Sequence, residues 1–137
     1  MVNSMNLFDY MYCRLYWWNT KMLKEKETPS FYSIVGLSVF QSFGIIPIVD
    51  ACGIFVWGST YVNAILSVSH LYLILGLIIL VVDSIYYNKE RRKRLYLIFI
   101  NLIIDKKKKL DVFCLLYIVI IVLINVLLSN YVRLKYV

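Results

Sequence analysis

Two stretches of this chain lack charged side chains over a length that would cross a lipid bilayer as a helix. Residues 31–49 contain 19 consecutive residues without a charged side chain, and residues 112–132 contain 21. Nineteen helical residues cover about 28 Å, which matches a hydrocarbon core of roughly 30 Å. A third stretch, residues 61–87, is also apolar, although it contains His70 and Asp83. The pattern therefore predicts three transmembrane helices.

Composition supports this interpretation. The chain has 137 residues, of which 61% are hydrophobic and 17% are charged. Soluble domains are nearer half apolar and a quarter charged, and disordered chains need low hydrophobicity. So small a soluble domain would have too little interior for this much apolar surface. We therefore expect an all-α integral membrane protein.

The segment before the first span is aromatic and basic. Tryptophan and tyrosine favour the headgroup zone, and arginine and lysine stems reach water from there. Residues 1–30 are therefore predicted to form an N-terminal interfacial helix that ends before Pro29, since proline disfavours a helical preceding residue. The residues that recur on one helix face are Phe8, Tyr12, Leu15 and Trp18.

Residues 88–111 form a basic segment around an apolar run, residues 95–104. Ten helical residues cover about 15 Å, which is too short to cross a bilayer. We expect a cytoplasmic amphipathic helix against the inner leaflet, rather than a re-entrant hairpin, which would need a turn signal. Its apolar face is predicted to contain Leu95, Ile98, Phe99 and Leu102.

The remaining boundaries follow from single residues. The first span, residues 31–57, contains Pro47, where the helix is expected to kink or end. Residues 51–58 are apolar but too short to span, so they either extend this helix or form an outer cap. The third span, residues 112–132, leaves residues 133–137 as a short tail.

Lysine and arginine are distributed unevenly between the two predicted sides. Thirteen lie in residues 1–30 and 88–111, whereas two lie in the C-terminal tail and none in the turn after the first span. Basic residues near spans favour the cytoplasmic side. The N-terminus and the basic loop are therefore predicted to be cytoplasmic, with the C-terminus outside.

The order of motifs resembles a known type of chain. An opening Phe8-Asp-Tyr-Met-Tyr-x-Arg-Leu-Tyr is followed by an apolar span, a second span ending in Tyr-Tyr-Asn-Lys-Glu90, a basic stretch and a last hydrophobic span. This order resembles small multi-span membrane proteins of Bacteroidetes-type bacteria. The resemblance implies three spans and a bacterial inner membrane, but no activity and no catalytic residues.

Polar side chains inside spans are costly and are candidates for function. Asp50 and His70 are both expected near the outer half of the membrane, where packed neighbours could form an intramembrane polar pair that carries a proton or senses pH. Alternatively, Asp50 is hydrated at the interface and His70 is hydrogen-bonded to a backbone or serine group.

Small and amide side chains indicate helix contacts, within one chain or between chains. The predicted helix-packing residues are Gly36, Ser38, Ser42, Gly44 and Asn125. The basic clusters are predicted to contact anionic lipid headgroups, with no nucleic-acid partner, because basic residues beside a span are first of all topological. The residues of this predicted contact are Arg91, Arg92, Lys93, Arg94, Lys106, Lys107, Lys108 and Lys109.

Enzymatic motifs are absent from the sequence. It has no glycine-rich phosphate loop and no metalloprotease or serine-hydrolase motif, and its single histidine excludes a multi-histidine metal site. We therefore predict no enzyme activity, no metal and no cofactor.

The leading hypothesis for the function is a small inner-membrane scaffold or accessory subunit, self-associating or bound to another membrane protein. An oligomerising pore-forming effector, holin-like or linked to defence, and a transporter subunit are the alternatives.

Overall fold

The computed structural model describes residues 5–24, 26–67 and 70–137. These ranges are helical and contain no strand, as the sequence predicts. A π-helical turn, Trp18–Met22, continues the first helix. The α-helices are α1 (Leu7–Trp17), α2 (Pro29–Trp57), α3 (Ser59–Ser67), α4 (Leu71–Tyr86), α5 (Lys89–Ile100) and α6 (Ile104–Tyr136).

Two helices, α2 with 29 residues and α6 with 33, are each long and apolar enough to cross a membrane. Together α3 and α4 would meet the same criterion, but the two helices are bent by 80° relative to each other. The part of the chain that the structure describes therefore contains two candidate spans, or three if α3 and α4 form one. The predicted second span, residues 61–87, is divided between these two helices.

The helix α2 continues through Pro47 to Trp57, so residues 51–57 extend it rather than form a separate cap. It ends at Gly58, whose φ of 55° is a left-handed conformation that glycine adopts without a side-chain clash. Pro47 has no N–H to offer the carbonyl of Phe43, four residues earlier. Asn125 of α6 supplies the missing donor, because its Nδ2 lies 2.9 Å from the Phe43 carbonyl oxygen.

One face of α2 packs against α4, which runs antiparallel to it. Near the start of α2, the hydroxyl of Ser38 donates a 2.7 Å hydrogen bond to Asp83, close to the end of α4. Further along α2, the hydroxyl of Ser42 lies near Gly76, where an added Cβ would sit 3.8 Å from it. The small side chains thus let the two helices approach within this chain.

Another face of α2 packs against α6. Tyr117 donates a 3.1 Å hydrogen bond to the carbonyl oxygen of Phe40. Its hydroxyl also fills the space beside Gly44, where any Cβ would overlap it. Gly36 faces α1 instead, and a Cβ there would meet Leu15 at 3.3 Å. The predicted small packing residues therefore serve three different contacts of the one helix α2.

The core lies at one end of the bundle, around α1. This helix was expected to lie on a membrane surface, but Tyr10, Tyr12 and Cys13 are completely or almost completely buried. It packs against α2, α5 and α6. Aromatic contacts that no local pattern reveals explain the burial, since partners such as Phe99 are far away in the sequence. The buried cluster is Tyr10, Met11, Tyr12, Cys13, Ile34, Leu37, Tyr87, Leu95 and Phe99.

The pairing of Pro47 with Asn125 predicts that substitutions at these two positions have non-additive effects on stability. Asn125→Leu should lower the free energy of unfolding by about 1 kcal/mol, because it leaves the Phe43 carbonyl without a donor. With Pro47→Ala, the restored N–H should make that loss much smaller. The measurement is the free energy of unfolding in mixed detergent micelles of four proteins: the native chain, the two single variants and the double variant. Asn130→Leu, on the exposed end of the same helix, is the control, and an undiminished loss in the Pro47→Ala background would contradict the pairing.

Candidate functional site

Asp50 is hydrogen-bonded to two tyrosines on different helices. The hydroxyl of Tyr61, on α3, donates to Oδ1 at 2.7 Å. The hydroxyl of Tyr72, on α4, lies 3.0 and 2.9 Å from the two carboxylate oxygens. Asp50 therefore joins α2 to both halves of the bent helix pair. These tyrosines were not among the predicted site residues, and no local spacing indicates them.

The predicted partner of Asp50 lies elsewhere. His70 is exposed at the residue before α4, and among the described residues no hydrogen bond joins it to Asp50. The partly buried carboxylate is instead hydrogen-bonded by neutral hydroxyls, which add no second charge beside it. This arrangement holds Asp50 in place and differs from the predicted carboxylate–histidine pair.

Two of the cavities beside α2 have a carboxylate among their described lining residues. One, of about 640 Å³, is lined by apolar residues of α2, α3, α4 and α6 together with Asp50. The other, of about 650 Å³, lies towards α1 and is lined by Asp83, Gln41 and apolar residues of α2, α4 and α6. Each cavity thus has one carboxylate in an otherwise mainly apolar wall.

Asp83 is 5% exposed and is held by α2. Besides the hydroxyl of Ser38, the side-chain amide of Gln41 reaches it when oriented to donate, at 2.8 and 3.1 Å from the two carboxylate oxygens. A serine and an amide from consecutive turns of α2 therefore satisfy the carboxylate between the helices. Gln41 is the strongly polar residue of the first apolar stretch, and Asp83 explains its presence there.

A further buried carboxylate, Asp9 of α1, is held at the end of α4. Tyr87 donates to it at 3.0 Å, and a guanidinium nitrogen of Arg91 lies 3.9 Å from it. Arg91 also lies 3.8 Å above the ring of Tyr86 and donates to its hydroxyl. Arg91, a predicted lipid contact, is therefore engaged in protein contacts.

Asp111 holds α1 to the beginning of α6. It accepts a 2.7 Å hydrogen bond from Tyr10 and pairs with Arg14 at 3.0 Å. Nearby, the ammonium group of Lys107 lies 4.8 Å from the centre of the Phe99 ring. Lys107 is thus partly engaged with α5. The remaining predicted lipid contacts on α6, which are exposed, are Lys106, Lys108 and Lys109.

A basic pocket of about 290 Å³ lies between α1, α5 and the beginning of α2. Two predicted lipid contacts line it, Arg92 and Lys93, whereas Arg94 is exposed outside it. Burial raises the pKa of Tyr12 to about 12, while the Ser30 hydroxyl and Arg92 limit the rise. The lining residues of the basic pocket are Tyr12, Tyr16, Ser30, Lys89, Arg92, Lys93 and Tyr96.

No protein-family model, curated protein or solved structure matches this chain. The resemblance to small membrane proteins of Bacteroidetes-type bacteria therefore stays a prediction. Within the described ranges, no group of three or more histidine, cysteine or acidic side chains is placed to hold a metal ion. The candidate sites are thus the two carboxylate-bearing cavities and the basic pocket.

The hydrogen bonds of Asp50 predict that substitutions at Asp50 and Tyr72 have non-additive effects on stability. Tyr72→Phe should lower the free energy of unfolding by about 1–2 kcal/mol, because the carboxylate loses a donor. In an Asp50→Leu background the same change should cost almost nothing, since no carboxylate needs the hydroxyl. Unfolding in detergent measures both effects. Tyr131→Phe, at an exposed hydroxyl of α6, is the control. Equal costs in both backgrounds would refute the role assigned to Tyr72.

Proposed function

We propose that this protein is a membrane-embedded scaffold or accessory subunit, which acts through its helix surfaces and through contact with anionic headgroups. The observation that carries the proposal is the apolar outer surface of α2, α4 and α6. Phe55, for example, is 91% exposed and Ile85 72%. A water-soluble chain rarely exposes apolar patches above a few hundred Å², whereas a lipid-facing helix requires such a surface.

In this proposal α2, the bent pair α3–α4, and α6 cross the membrane. The basic segments then belong on one side, because α1 contacts the end of α4 through Tyr87 and the beginning of α6 through Asp111. An excess of lysine and arginine favours the cytoplasmic side. The N-terminus would be cytoplasmic and the C-terminus outside, in a bacterial inner membrane.

Membrane topology tests this arrangement. Single cysteines at Lys21, Lys108 and Lys135, in a chain without its native cysteines, should be labelled by a membrane-impermeant maleimide in a fixed pattern. Lys21 and Lys108 should react only in inverted vesicles, and Lys135 only in right-side-out vesicles. Alkaline extraction should leave the chain in the membrane fraction. Labelling of Lys21 and Lys108 from opposite sides, or extraction by alkali, would contradict the proposal.

Partner contact requires a separate test. The cavity near α1 is open between helices, and Ile48 lines it while remaining 64% exposed. A photo-crosslinking residue at position 48 should capture one defined membrane protein, or a second copy of this chain, at a constant ratio. The same residue at Ile85, on the exposed surface of α4, is the matched control. Adducts only with lipid at position 48, or identical adducts from both positions, would argue against a scaffold.

A transporter subunit is the second candidate, because Asp50 and Asp83 each line a cavity between helices. Intramembrane carboxylates commonly carry protons or bind cations. Asp50→Asn and Asp83→Asn would then abolish proton or cation uptake into proteoliposomes.

The pore-forming alternative has less support, since Gly36, Ser42 and Gly44 make contacts within the chain. Loss of membrane potential on induced expression would favour the pore.

A further inference from the structure

We propose that the basic pocket between α1, α5 and the beginning of α2 binds a phosphate group that carries two negative charges, either the terminal phosphate of a lipid headgroup or a soluble phosphate. The lipid source rests on the proposed membrane function, whereas the soluble source does not. The volume of the pocket, about 290 Å³, lies just below the usual range of small-molecule sites, roughly 300–1,000 Å³. It therefore suits a headgroup better than an acyl chain.

Charge is the first argument. Lys89, Arg92 and Lys93 line the pocket, and none of its described lining residues is acidic. Among the described residues these three cations have no ion-pair partner, in contrast to Arg14 and Arg91, which face Asp111 and Asp9. Three uncompensated cations around one concave site favour a ligand with more than one negative charge.

The hydroxyl groups are the second argument. Tyr12, Tyr16, Tyr96 and Ser30, each of which carries a hydroxyl group, are lining residues of the same pocket. Tyr16 and Tyr96 pack edge to face, with ring centroids 4.9 Å apart. Hydroxyl donors beside cations match the oxygens of a phosphate, because charge-assisted hydrogen bonds are the stronger kind. Arg92 adds a planar guanidinium, which can donate two parallel bonds to phosphate oxygens.

The position in the fold is the third argument. Lys89, Arg92, Lys93 and Tyr96 follow the spacing i, i+3, i+4 and i+7, so α5 presents them on one face. Ser30 is in the first turn of α2, where the helix dipole is positive. That turn is the membrane boundary of the first proposed span. A bound lipid phosphate would therefore lie at headgroup depth.

The test compares two triple variants that remove equal charge. K89Q/R92Q/K93Q removes the cations of the pocket, and K106Q/K108Q/K109Q removes exposed cations of α6. The full-length protein in neutral detergent is titrated by calorimetry with dihexanoyl phosphatidic acid, with inorganic phosphate and with dihexanoyl phosphatidylcholine. Melting temperatures establish that both variants fold, and Arg92→Lys serves as a milder second variant.

We expect phosphatidic acid, inorganic phosphate or both to bind the native protein more tightly than phosphatidylcholine does. The pocket variant should lose at least about tenfold in affinity, and the α6 variant less than about threefold, because loss of three nearby cations weakens an anion contact strongly. Arg92→Lys should lose an intermediate amount. Binding of phosphatidic acid alone assigns the site to lipid, and equal binding of inorganic phosphate assigns it to a soluble ligand.

Three results would overturn the proposal: equal losses in the two triple variants, equal affinity for phosphatidylcholine, or no binding of either anion at millimolar concentration. These results are independent of the membrane function. Alkaline extraction and topology test membrane embedding, whereas the calorimetric contrast concerns only the pocket. A chain that is extracted by alkali but still binds inorganic phosphate through the pocket would refute the membrane function and retain the phosphate site.

Discussion

The insertion of α1 between α2, α5 and α6 determines the arrangement of the rest of the chain. Its buried Asp9 requires a hydrogen-bond donor and a nearby positive charge, which Tyr87 and Arg91 provide from the α4–α5 junction. Its Tyr10 requires an acceptor, which Asp111 provides from α6. A buried polar group without a partner is costly, so these bonds allow α1 few alternative positions. They bring the basic segments of the chain together at one end of the bundle.

The helix α2 contacts its neighbours on several faces, and each face uses a different kind of side chain. Ser38 and Ser42 allow α4 to approach, while Gly44 leaves room for the hydroxyl of Tyr117 on α6. Pro47 frees a backbone carbonyl, and Asn125 satisfies it across the interface. In a membrane, small residues and polar bonds of this kind replace the hydrophobic effect as the basis of helix association.

Two groups of basic residues around α1 have different environments. Arg14 and Arg91 are close to carboxylates, and Arg91 also lies on an aromatic ring. Lys89, Arg92 and Lys93 line a pocket whose described side chains include no acid. A count of charges along the sequence shows one basic run from 89 to 94, because a count does not distinguish the faces of a helix. The helical spacing of residues 89, 92, 93 and 96, in contrast, places these four side chains on one face of α5.

The sequence by itself determined the helical class and the long apolar helices, because apolar length is a local property of the chain. It also grouped Leu95 and Phe99 on one face of α5, but it predicted that this face lies against the inner leaflet, whereas both side chains are buried within the protein. Only the tertiary structure decided that α1 is a core helix, that residues 51–57 extend α2, and that the predicted second span is bent. It also gave Asp50 two tyrosines as hydrogen-bond partners, separated from it by 11 and 22 residues. Such partners meet only when the helices pack, and no local periodicity records which faces come together.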